Sequence, residues 1–117
     1  MSAAVYNFEL EQGTSLAKSV VWKDSTGSPV NLTGYSARLQ VRENADSDEV
    51  LLELSTANQT IEITPLLGKI TLHFSPVDTS GAFWTKGKFD LELTSPSGFV
   101  TRIIKGKITL SKEITRD

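Results

Sequence analysis

The sequence predicts an all-β chain, a single antiparallel β-sandwich of about eight short strands with at most one short helical turn. Three observations carry that reading. Apolar residues recur at every second position in run after run, and no long stripe at helical spacing competes. Clusters of Gly, Pro, Ser, Asn and Asp punctuate the runs at short intervals. A length of 117 residues with 38% hydrophobic side chains bounds the chain to one domain with one packed core.

The elements follow in order. "VYNFEL" places Tyr6, Phe8 and Leu10 on one face, and "LAKSVVWK" forms a second run. "DSTGSP" is a turn in which Asp24 caps local backbone and Gly27 takes positive φ. "YSARLQVRE" alternates cleanly, with Tyr35, Ala37, Leu39 and Val41 inward and Ser36, Arg38, Gln40 and Arg42 outward. "NADSDE" is a polar hairpin tip, after which "VLLELS" resumes the pattern. "TIEIT" and "KITLHF" are two more strands, joined by a turn at "PLLG". "SPVDTSGAF" is the one candidate helical turn, with Ser75 as cap and Pro76 at the first helical position.

The last pair spans Phe89 to Ser111. Phe89, Leu91 and Leu93 alternate with Asp90, Glu92 and Thr94. "SPSG" has Pro96 second and Gly98 fourth, the pattern of a type I turn closing a hairpin. Beyond it Ile104, Gly106, Ile108 and Leu110 share a face. Ile103 has the opposite parity, which predicts a bulge between Arg102 and Ile104.

Composition excludes several function classes. With no cysteine there are no disulfides, thiolate metal sites or cysteine nucleophiles, and a reducing cytosol suits the chain. A net charge of −2 argues against a nucleic-acid binder. The charge is uneven, however: seven basic and four acidic residues from Lys86 onward give +3, leaving −5 before them. "MSAAVYNFELEQG" does not read as a signal peptide, and no run approaches the ~20 apolar residues of a spanning helix, so no membrane role is expected. The ends, near 1–5 and 113–117, are expected to be flexible unless ordered by partners.

No catalytic, cofactor or metal set emerges. His73, the single histidine, alternates away from Ile70, Leu72 and Phe74, which makes it an outward or interface side chain. "DSTG" has one residue too many for an aspartic-protease loop, and there is no second copy. Asp46, Asp48 and Glu49 lack the ligand run and central glycine of a calcium loop. Gly68-Lys69, Gly87-Lys88 and Gly106-Lys107 have neither the upstream glycine nor the following helix of a phosphate loop. Asn31 and Asn58 match the glycosylation pattern but lack a secretory context. Trp22, Trp84, Tyr6 and Tyr35 are candidates for a sugar-stacking platform, but Tyr6 and Tyr35 have the apolar parity of their strands and Trp84, beside Phe83, suits a lid on the end of the core, so core packing is the expectation. Arg102, Lys105 and Lys107, with His73, are the expected protein-interface residues.

Read in order, Gln12-Gly13-Thr14, Trp22-Lys23-Asp24, "PVNLTGYSARLQVR", "DLELTSPSG" and "GKITLS" resemble one family over roughly Glu9 to Ser111. It is the small immunoglobulin-like β-sandwich domains of bacteriophage tails and baseplates, akin to the N-terminal domain of baseplate upper proteins. The resemblance implies an immunoglobulin-like fold and a virion component rather than an enzyme. Its partners would be other tail or baseplate proteins, met in multiple symmetric copies after assembly in the host cytoplasm. Longer relatives carry further modules after this domain, so a chain ending at Asp117 is expected to be an adaptor or a small structural subunit rather than a receptor-binding protein. Rival expectations are a capsid decoration protein and a carbohydrate-binding sandwich module.

Overall fold

The computed structural model describes residues 4–112 and Ile114. Alternation gives each run one face for the core and one for solvent, and nine strands form among the described residues. They are β1 (Ala4–Val5), β2 (Phe8–Glu11), β3 (Leu16–Val21), β4 (Ser36–Arg42), β5 (Leu52–Ser55), β6 (Ile61–Thr64), β7 (Lys69–Phe74), β8 (Lys86–Thr94) and β9 (Val100–Ser111). A five-residue helix, α1 (Pro76–Ser80), joins β7 to β8.

Two layers result. The larger sheet has six strands in the order β1-β9-β8-β4-β5, with β2 also on β9, and the smaller has the order β3-β7-β6. These are the G-F-C-C′ and B-E-D layers of an immunoglobulin-like sandwich. Between them lie the inward residues of both sheets: Leu39, Leu54, Ile70, Leu91, Leu93 and Ile108 are all fully buried. Each such side chain contributes about 1.5–3 kcal/mol of transfer free energy. Phe8 joins the layers near their edge, its ring 5.2 Å from Phe89 and 5.8 Å from Phe74.

Four details refine the expected elements. The first run divides at Tyr6 and Asn7, which turns eight strands into nine, and both pieces pair parallel to β9. Ala4 and Val5, expected in a flexible end, instead pair with Ile104 and Lys105. The rest of the two ends, apart from exposed Ile114, lies outside the described residues. Tyr6, expected inward, is 39% exposed, and its main-chain oxygen occupies the space above Gly106. Besides the expected helix, Pro65–Leu67 closes as one 3-10 turn that ends on Gly68 at φ 59°.

The predicted bulge is present. Leu91 faces Ile104 and Glu92 faces Arg102, so Ile103 is the extra residue of β9. The predicted turn is also present: Gly98 donates its N–H to Ser95 O at 2.9 Å and holds φ 91°. At the helix, Ser75 N–H donates to the Asp78 carboxylate at 2.8 Å, which fixes the first turn behind Pro76.

Candidate docking face

Antiparallel pairing sets the outward side chains of β4, β8 and β9 in rows across the larger sheet. Arg42, Lys88 and Lys107 form the first row. Gln40, Asp90 and Lys105 form the second, and Arg38, Glu92 and Arg102 the third. Neighbouring strands lie about 4.8 Å apart, so each row brings its side chains into mutual reach. All nine line a groove of about 660 Å³, together with residues such as Asn7, Asn44 and Ala45. Six of the nine are basic and two acidic, a net +4 on a chain of net −2.

The bulge builds part of this face. By simple alternation Arg102 would share the inward parity of Ile104. The extra residue at Ile103 turns it outward, where its Nε meets the Asp90 carboxylate at 3.1 Å. In the same way Arg38 Nε donates to Glu53 at 2.9 Å, and Gln40 Nε2 donates to the same Glu53 oxygen at 2.6 Å. The Gln40 bond, then the Arg38 guanidinium, holds the Glu53 carboxyl below the usual carboxylate range.

The first row makes no ion pair among the described residues, although Arg42 adds to the field that lowers Glu53. Arg42 donates to the carbonyls of Ser47 and Asp48 at 2.7 and 3.0 Å, and to Gln40 Oε1 at 2.9 Å. All three acceptors are neutral. Among the described residues the ion pairs are Arg38–Glu53, His73–Glu62 and Arg102–Asp90, so Lys88, Lys105 and Lys107 have no acidic partner. Lys88 and Lys107 stand directly opposite each other, and like charges in that position destabilise a sheet.

Of the expected interface residues, Arg102, Lys105 and Lys107 come together here. His73 does not. It lies on β7 in the other layer, exposed and 3.4 Å from Glu62. Sequence reasoning missed Arg38, Arg42 and Lys88 as members of the face. Their outward parity was readable, but the alignment into rows depends on which strands become neighbours.

The other candidate motifs resolve as local structure. Asp24 Oδ1 accepts from the Thr26 hydroxyl at 2.5 Å, from Thr26 N–H at 2.9 Å and from Ser28 N–H at 3.1 Å, with Gly27 at φ 86°. Asn31 and Asn58 each accept from the Thr two residues on, as turn formers do. Gly87 and Gly106 sit inside strands. Among the described residues no three His, Asp or Glu side chains gather as a metal site. Trp84 is 8% exposed within the core, and Trp22 packs edge-on against Tyr35 with centroids 6.3 Å apart.

No protein-family model matches the chain, and no curated protein sequence matches it. Solved structures do. The chain is similar to one in the crystal structure of a chicken TCR, with a TM-score of 0.55 and 10% identity over 98% of its length. It spans 56% of that receptor chain. At this identity the likeness shows the fold, an immunoglobulin-like β-sandwich, and nothing of the role.

Proposed function

We propose that the chain is a non-enzymatic structural domain of a bacteriophage tail or baseplate, an adaptor that docks fibres or other tail proteins. The observation that carries the docking reading is the open sheet face whose lysines, Lys88, Lys105 and Lys107, make no ion pair among the described residues. Such a face gains free energy when an acidic surface covers it, and complementary charge steers the encounter and selects the partner. The tail or baseplate assignment rests on the resemblance of Gln12-Gly13-Thr14, "PVNLTGYSARLQVR", "DLELTSPSG" and "GKITLS" to that family.

A capsid decoration role would use the same sandwich elsewhere on the particle. Sugar binding is less favoured, because Trp84 is buried and Trp22 is partly covered by its contact with Tyr35. Cryo-electron microscopy of the virion tests the location: density at the tail or baseplate is expected, and density on the head shell would refute the tail reading. Charge reversal by Lys105→Glu with Lys107→Glu tests the docking face. Unchanged incorporation of that variant into particles counts against it.

A further inference from the structure

We infer that the counter-charge for the Arg42–Lys88–Lys107 row comes from a second copy of this chain, through the loop between β4 and β5. This rests on the docking reading and names the partner. The loop runs from Glu43 to Leu51 and carries Glu43, Asp46, Asp48 and Glu49 with no basic residue. All four acids are exposed, and none makes an ion pair with a described residue. A cationic row thus lies beside an acidic loop, neither with an ion pair among the described residues, and Asn44 and Ala45 of that loop line the groove.

The loop is held in shape rather than free to fold back. Arg42 grips the carbonyls of Ser47 and Asp48, and Ser47 exchanges two bonds with Asn44, donating its N–H to Asn44 O and accepting Asn44 N–H on Oγ, both at 3.1 Å. Its backbone is therefore held by the Arg42 guanidinium and the Ser47–Asn44 bonds, and its acidic residues stay exposed. A two-fold axis near this rim sets each loop over the other copy's row and satisfies both pairs at once. Stacking row on row or loop on loop brings like charges together, so among two-fold arrangements the charge pattern selects the crossed one. The contact is polar, which predicts a reversible, salt-sensitive dimer.

Sedimentation equilibrium of the intact chain decides it. Wild type is expected to show concentration-dependent dimerisation at about 0.1 M salt. That association should weaken at least about tenfold near 1 M, as the screening length falls from about 10 to about 3 Å. Lys88→Glu with Lys107→Glu should abolish the dimer, and so should Asp46→Lys with Glu49→Lys. Mixing the two variants should restore a one-to-one pair. Circular dichroism checks that each is folded; should the lysine reversal unfold the chain, Lys88→Gln with Lys107→Gln replaces it, with weakened association expected. A wild type monomeric throughout, a dimer surviving both reversals, or a mixture that fails to pair overturns the inference. If wild type is monomeric but the lysine reversal still excludes the subunit from particles, the docking face stands and its acidic partner is another protein.

Discussion

The main-chain carbonyl of Tyr6 lies over Gly106, where an added Cβ would stand 1.9 Å from the Tyr6 oxygen. The glycine is required by close approach of a neighbouring backbone. That approach closes the sheet edge: Tyr6 N–H donates to Lys105 O, and Asn7 Oδ1 accepts from Lys107 N–H, both at 2.9 Å. The Asn7 side chain thus bridges the ladder where β1 gives way to β2. Gly106→Ala is expected to push the N-terminal segment outward and cost about 1–3 kcal/mol. Urea unfolding measures the loss, and faster amide exchange at Lys107 locates it. An unchanged midpoint would show that the segment is not held there.

A second contact ties the N-terminal strand to the helix. Gln12 Nε2 donates to the carbonyls of Thr79 and Ser80 at 3.2 and 3.3 Å, and Gly13 N–H donates to Thr79 Oγ1 at 2.9 Å. Gln12 and Thr79 are buried, so their polar groups have to be satisfied inside. Thr79→Val keeps the shape and strands the Gly13 amide; it should cost about 1–3 kcal/mol. Thr79→Ser keeps the hydroxyl and should recover much of that. Equal losses for Val and Ser would assign the effect to packing instead.

Most of the fold was legible because its information is local. Parity assigned Leu39, Leu91 and Leu93 inward and Arg38, Gln40 and Arg42 outward, and the parity break at Ile103 located the bulge. Pro96 and Gly98 fixed their turn for the same reason. What stayed hidden depends on pairing. Nothing local says that Lys88 will face Lys107, that Tyr6 will cover Gly106 with its main chain, or that Gln12 will reach Thr79, 67 residues away. The docking face was half visible, since the basic residues of β9 stood out while those of β4 and β8 looked like an ordinary solvated face.

Acid should erode stability through two depressed carboxyls. The Thr26 hydroxyl, then the Ser28 and Thr26 amides, holds Asp24 below its ordinary value, and Gln40 with Arg38 does so for Glu53. A folded-state pKa below the unfolded one gives stability that is fully present above the unfolded value and is lost as pH falls through the folded one. The loss therefore begins near pH ~4 and deepens below it. Asp24→Ala and Glu53→Gln should each flatten the acid limb of urea midpoint against pH. A limb as steep as wild type in both variants would remove these groups from the account.

The first row offers the last test, because its native composition costs stability. Lys88 stands between Arg42 on β4 and Lys107 on β9, so Lys88→Glu converts two like-charge cross-strand neighbours into two opposite-charge ones. Such pairs are worth roughly 0.2–1 kcal/mol each. In dilute, low-salt solution the variant should be more stable than wild type by about 1 kcal/mol, with the gain shrinking as salt screens the row. Lys88→Gln, which only removes charge, should fall between the two. The comparison needs dilute protein, since any association would add stability to wild type alone. A variant that gains stability while losing partner binding marks a position where the folded monomer alone would favour another residue. If Lys88→Glu destabilises the monomer, the row is not repulsive and has no need of counter-charge from a partner.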